Sequence, residues 1–182
     1  MTREPNNDMS AHQLVYTPHT ALDTAVPAFP QDNTAYRHTV SQHMQDVCNR
    51  HKGIGLAANQ IDLNAAVFVS HVQKDMVTMF NPAIHEVSDD TVLMSEGCLS
   101  DPGLYIKIKR PDMIHVSWED ETGQRTQAQL FGMDCRVFLH EYDHLQGVLF
   151  TDRVGKTKLA MARKKQNTRI QNAARRIMDK IK

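Results

Sequence analysis

Residues 133–147 read MDCRVFLHEYDHLQG. Met133, Val137, Phe138, Tyr142 and Leu145 recur at helical spacing and Gly147 stops the pattern, so the stretch predicts an amphipathic helix. Within it, His140-Glu141-Tyr142-Asp143-His144 has the form H-E-x-x-H. On a helix this places two imidazoles on one face, with a carboxylate beside them that can reach a water on a bound metal. With this composition such a pattern arises by chance roughly 2% of the time, so two unrelated histidines are the weaker reading. Two histidines do not complete a metal shell. The reading of the chain therefore turns on the third donor.

The downstream flank does not supply one. Gly147 falls where H-E-x-x-H-x-x-G-x-x-H proteins have their glycine, but Phe150 stands at the third histidine position. After Glu141 there is no glutamate, and after His144 there is neither His nor Cys; Asp152 and Asp179 lie in no recognisable metal-binding context. The donor must lie upstream, among Cys48, Cys98, Cys135 and eight other histidines. Cys135 precedes His140 by five residues on the same helix and points away from the pair. Cys48 sits in a helical pattern with Met44 and Val47, which suits a small buried thiol. Cys98 lies between Gly97, where a backbone can approach a bound group, and Pro102-Gly103, which predicts a turn. It stands as ligand candidate or structural thiol.

Around this helix the chain reads as strands followed by strands, with few crossovers. A helix is expected over Tyr36–His51, and strands over Ala65–Ser70 and Met76–Phe80. Ile84–Val87 and Thr91–Met94 flank Ser88-Asp89-Asp90, which predicts a turn between two short strands. Met113–Trp118 alternates apolar and polar residues, and Glu121-Thr122-Gly123 turns it toward Arg125–Phe131. A last helix is expected from Lys156 to Ile181, burying Ile170, Ala173, Ala174, Ile177 and Ile181. The order favours an α+β fold, with antiparallel sheets packed around a central helix carrying H-E-x-x-H and a basic C-terminal helix.

At 182 residues, 41% of them hydrophobic, the chain suits one domain with a sizeable core. Its apolar runs are too short to span a bilayer, and MTREPNNDMSAHQ lacks a secretory pattern, so no membrane partner and a cytoplasmic location are expected. Three cysteines cannot close a disulfide framework. The formal charge of zero hides an asymmetry: residues 153–182 carry 11 of the 21 Lys/Arg and one acid, Asp179, a net of +10 that leaves −10 on the rest. Such a tail suits an anionic surface, or is simply a solvated helix face.

Three motifs occur in order: Gly53-Ile54-Gly55-Leu56-Ala57-Ala58-Asn59-Gln60, Glu96-Gly97-Cys98-Leu99-Ser100 and His140-Glu141-Tyr142-Asp143-His144. The first lacks the G-K-[ST] ending of a phosphate loop. Together the motifs resemble those of the peptide deformylases. The likeness extends through Phe80-Asn81-Pro82, Lys109-Arg110-Pro111 and Gly147–Arg153, over roughly residues 12 to 155. The chain departs from the family pattern at Thr17–Asp23 and at Leu139, where glutamine is common.

The resemblance implies a catalytic domain over residues 1–155, with residues 1–12 flexible, and a basic helix over 156–182 packed on it or extending from it. It implies one divalent metal on Cys98, His140 and His144, with Fe²⁺ in the cell and Zn²⁺, Ni²⁺ or Co²⁺ as substitutes. The activity implied is removal of the N-formyl group from the initiator methionine of nascent polypeptides, releasing formate. Glu141 would be general base and acid, while the Gln60 side chain and the Leu99 N–H would stabilise the oxyanion. Ile54 and Gly55 would pair with the substrate backbone beside Gly97; Met133 and Val137, about two turns and one turn before His140 on the helix, are candidates for the methionine pocket or for the core. The expected protein is a monomer that acts on formyl-methionyl nascent peptides and meets the ribosome through its basic helix. Asp143 is open between orienting a ligand and lying at the helix surface. Competing readings are a general zinc peptidase and an inactive deformylase-like binder of nascent chains or RNA.

Overall fold

The computed structural model describes residues 9–30 and 33–181, the side chains of 180 and 181 excepted. The elements are α1 (Thr34–Arg50), β1 (Gly55–Ala57), β2 (Val67–Val72), β3 (Asp75–Val87), β4 (Thr91–Cys98), β5 (Asp101–Pro111), β6 (Met113–Glu119), β7 (Arg125–Phe131), α2 (Gly132–Leu145) and α3 (Lys156–Ile181). Short 3-10 turns cover Ala58–Ile61 and Phe150–Arg153, among others. An antiparallel sheet runs in the order β1-β2-β3-β6-β7, and β4 and β5 form a separate hairpin. The α+β expectation holds.

The uninterrupted apolar run at β2 has a simple cause. Successive strand residues face opposite sides, and here both sides are covered. Val67 and Val69 pack with Val40, Met44, Val47 and Cys48 of α1, whereas Phe68 packs with Phe138 and Leu139 of α2. The sheet is thus held between two helices, and the H-E-x-x-H helix touches β1, β2, β5, β6 and β7. Asn33 caps α1 by accepting from the Tyr36 N–H at 2.9 Å.

Three expectations need correction. Met76–Phe80 and Ile84–Val87 are one strand, β3, which passes through Asn81-Pro82 by a break in register between Phe80 and Ala83. A bulge tolerates the missing proline N–H there. Ser88–Asp90 joins no hairpin: β3 pairs with β6 and β4 with β5, so the segment crosses between sheets. Pro102-Gly103 is not the turn after Cys98. The chain turns at Leu99-Ser100, and Pro102 and Gly103, the latter at φ +81°, lie in the irregular start of β5.

The third helix has the expected limits but a different buried face. Leu159 and Ala162 pack against the apolar side of β5, and Gln166 is buried. Ile170 and Ile177 are 54% and 60% exposed, and Ala173 and Ala174 are exposed too. The side chain of Ile181 lies outside the described residues. The apolar stripe outruns its support, because α3 is roughly 40 Å long at ~1.5 Å per residue, whereas its side-chain bonds to the hairpin run from Lys158 to Arg169 among the described residues. Of the segment 1–12, residues 1–8 lie outside the described residues; Met9 is in the core and the His12 ring bonds the Ile61 carbonyl.

Arg37 of α1 is 1% exposed and forms a 2.6 Å ion pair with Glu119 at the end of β6, its guanidinium 4.8 Å from the centre of the Phe80 ring. Its loss takes one partner from Glu119, which keeps Asn81 Nδ2 at 3.1 Å and Arg125 Nη1 at 3.3 Å. Arg37→Ala is expected to cost about 1–3 kcal/mol, read as a lower urea midpoint.

Candidate metal centre

Cys98 ends β4, while His140 and His144 stand one turn apart on α2. The sheet and hairpin bring them together: their donor atoms all lie within 4.8 Å of one another, and Cys98 Sγ is 3.2 Å from His144 Nε2. A four-coordinate ion bound at about 2.0–2.3 Å needs donors roughly 3.5 Å apart, so one thiolate and two imidazoles so placed fit a single divalent metal. Among the described residues this is the one cluster of three such donors. Burial, with the nearby His140 and Arg110, drives His144 well below the usual imidazole range. Its neutral form is the one that binds metal. Its Nδ1 is buried without a hydrogen-bond partner among the described residues.

His140 is oriented from behind. Its Nδ1 lies 3.0 Å from Glu96 Oε2, which leaves Nε2 toward Cys98 and His144. Glu96 also accepts from Arg110 Nε at 2.7 Å, Arg110 Nη2 at 2.9 Å and Arg136 Nη1 at 2.7 Å. Burial raises its pKa, but the hydrogen bonds from His140, Arg110 and Arg136 prevail and hold it well below the usual carboxylate range. Sequence reasoning assigned Glu96 no task. The signal was its spacing: in a strand, residues 96 and 98 share a face. Asp143 takes a supporting position: it pairs with Arg110 at 2.6 Å and Arg153 at 3.0 Å and connects to His140 through Arg110 and Glu96.

Glu141 is buried beside Gly55, with Oε2 unpartnered among the described residues. A Cβ on Gly55 would come 2.5 Å from Glu141 Oε1 and 2.8 Å from Val137 Cγ1, so only glycine fits. Burial pushes the Glu141 carboxyl up; His140 lowers it and Glu96 raises it again, to about 7. That value suits proton transfer near neutrality. Gln60 lies in the 3-10 turn after β1. Its Oε1 accepts from the Ala57 N–H at 2.8 Å, which turns the amide N–H toward Cys98 Sγ (3.3 Å) and Ser100 Oγ (3.1 Å).

A cavity of about 510 Å³ opens over these groups. Ile54, Gly55, Gly97, Leu99, Met133 and Val137 all line it, with Gln60, Cys98, His140 and Glu141. Val137 is buried and Met133 lies exposed at the mouth. Cys48 and Cys135 are excluded as ligands: both are buried away from the cluster, with thiols pushed up by burial to about 12 and about 11.

The profile of the polypeptide deformylases matches residues 11–160. The chain belongs to the polypeptide deformylase family. That kinship makes it a hydrolase of the peptide deformylase kind. It is 37% identical over 124 residues to a peptide deformylase of Thermotoga sp. (strain RQ2), covering 68% of this chain and 76% of that protein. It is 36% identical over 121 residues to the chloroplastic peptide deformylase 1B of Oryza sativa subsp. japonica, spanning 64% of this chain and less than half, 45%, of that longer relative. Among solved structures, the peptide deformylase of Thermotoga maritima superposes with TM-score 0.75 at 32% identity, over 79% of this chain and 97% of the other. That of Synechococcus elongatus in complex with actinonin gives 0.79 at 31%, over 92% and 88%. Among the described residues no helix is long and apolar enough to cross a membrane.

Glu96→Gln keeps the shape of this side chain but removes its charge. Groups that orient a metal-bound histidine typically contribute 10–100-fold in metal affinity. A loss of about that size is expected in competition with a chelator, with the far-ultraviolet spectrum of the fold retained.

Proposed function

We propose that this chain removes the N-formyl group from the N-terminal formyl-methionine of nascent polypeptides, releasing formate. The observation that carries the reading is the convergence of Cys98, His140 and His144 next to a buried Glu141 and the inward amide of Gln60. Cys98, His140 and His144 would hold one divalent ion, Fe²⁺ in the cell with Zn²⁺, Ni²⁺ or Co²⁺ as substitutes. Bound there, it would supply Lewis acidity and a water of lowered pKa.

The chain's own residues do the rest. Glu141 accepts the proton of the attacking water, whose oxygen adds to the formyl carbon. As the carbonyl oxygen takes up negative charge, the Gln60 amide and the Leu99 N–H donate to it. Glu141 then passes its proton to the amine nitrogen as the carbon–nitrogen bond breaks, and formate leaves. Burial keeps this carboxyl near neutrality, where both transfers are feasible. The substrate backbone runs along Ile54 and Gly55 as an added strand, a reading supported by the place of β1 at an open edge of the sheet. Gly97, Met133 and Val137 bound the pocket for the methionine side chain.

The assay is formate release from a formyl-methionyl peptide by protein prepared without oxygen. Glu141→Ala is expected to lose about 10²–10⁴ in rate, Gln60→Ala about 10²–10³, and Cys98→Ala the metal itself. Equal inertness of wild type and Glu141→Ala with metal bound defeats the reading, and cleavage of internal peptide bonds would favour a peptidase.

The protein acts as a monomer, and its basic helix meets ribosomal RNA. The exposure of Lys164, Lys165, Arg175 and Arg176 supports this contact. Replacing these four by glutamine is expected to weaken ribosome co-sedimentation and flatten its dependence on salt. Binding unchanged at every salt concentration would sink it.

A further inference from the structure

The first half of α3 grips the turn that carries Cys98. Asp101 lies opposite Cys98 across that turn, with only Leu99 and Ser100 between them, and its side chain is almost wholly buried. Gln166 Nε2 donates to Asp101 Oδ1 at 2.9 Å and to the Pro102 carbonyl at 2.8 Å, so one amide holds both a side chain and the backbone where the turn enters β5. Arg163 Nη1 lies 2.7 Å from Asp101 Oδ1 and donates at 3.1 Å to Gln166 Oε1, which fixes the orientation of that amide. Leu159 and Ala162, on the same face of the helix, pack in the apolar cluster that Cys98 borders. From the other side the turn is held by Gln60, through Ser100 Oγ, and by the Thr17 N–H, which donates to the Ser100 carbonyl at 2.9 Å.

We propose that Gln166 and Arg163 are positioning residues of the metal centre: by fixing Asp101 they set where Cys98 Sγ and the Leu99 N–H stand relative to His140, His144 and Gln60. The catalytic unit then extends through the first half of α3, to about Arg169, instead of ending before the helix. A four-residue turn has few conformational restraints of its own. Gln166 is 7% exposed and spends both amide hydrogens on this one turn. A displacement of about 1 Å of a transition-state donor or ligand costs on the order of 10²-fold in rate. The effect is one of alignment on the hairpin side of the cavity, whose other wall, Ile54, Gly55 and Val137, stands on β1 with its approach and on α2.

The proposal rests on the deformylase reading, and its test is chosen so that the two can fail separately. Gln166→Met keeps volume and helix propensity but loses both donors; Arg163→Met loses the ion pair; Gln171→Ala, on an exposed position of the same helix, is the control. Each full-length protein is assayed for kcat and KM on a formyl-methionyl peptide. Each is also loaded with Co²⁺ to record the thiolate-to-cobalt charge-transfer band, a readout that needs no activity. Expected for Gln166→Met is a fall of about tenfold or more in kcat that exceeds any rise in KM, and a shifted or weakened band in protein that still unfolds cooperatively. Arg163→Met should move both readouts in the same direction but less, and Gln171→Ala neither. If Gln166→Met does not fold, Arg163→Met decides by the same two readouts. Lower thermal stability with unchanged kcat and an unchanged band would reduce the contact to scaffolding and overturn the proposal. If wild type releases no formate, the deformylase reading falls, and the cobalt band still decides whether α3 positions Cys98.

Discussion

The four hydrogen bonds on Glu96 are the constraint on which the site depends. Each carboxylate oxygen receives two: Oε1 from Arg110 Nε and Arg136 Nη1, Oε2 from Arg110 Nη2 and His140 Nδ1. A two-stranded hairpin is marginal by itself, and among the described residues β4–β5 pairs with no third strand. Cys98 rides on that hairpin whereas both histidines ride on α2, so the candidate metal site spans two units that the peptide chain does not hold in register. Glu96 closes the gap. It belongs to the hairpin, as does Arg110, while Arg136 and His140 belong to α2. A buried charge costs several kcal/mol unless fully satisfied. The arrangement that satisfies Glu96 is also the one that points His140 at its partners.

Local pattern was enough to read most elements. The helix over Thr34–Arg50 and the β6–β7 hairpin follow from periodicity and turn residues, and β2 from an apolar run whose two faces meet two helices. The misreadings share a cause, which is that partners decide what punctuation means. Asn81-Pro82 looks like a strand stop, yet the strand continues because β6 accommodates a register break opposite it. Pro102-Gly103 looks like a turn, yet Leu104, Ile106, Ile108 and Arg110 alternate inward behind it, and the hairpin absorbs both residues as an irregularity. The apolar stripe of α3 is real, but burial needs a surface, and none reaches Ile170 or Ile177 among the described residues.

The candidate ligands and base were legible for a different reason. Cys, His and Glu in such a pattern have few structural uses, so Cys98, His140, His144 and Glu141 could be singled out, and the structure brings all four together. Gln60 was visible only through the likeness of its motif, because an amide side chain alone signals nothing. Supporting groups left weaker traces. Glu96 needed the knowledge that residues 95–98 are a strand, and Gln166 lies more than sixty positions from the turn it holds. Such long-range partners are set by packing, which no window along the chain reports.

The place of β1 at the sheet margin carries a consequence for solubility. A sheet that offers unpaired backbone to a peptide also offers it to another copy of itself, the usual route to aggregation. Here the offer is brief, since β1 is three residues long and begins at Gly55. At the opposite margin β7 presents Arg125, Thr126, Gln127 and Gln129 to solvent, with Phe131 exposed at its last position. A short margin on one side and a polar one on the other leave little for a stacking neighbour to extend. The same brevity that would suit one extended chain end gives a stacking copy little backbone to pair with.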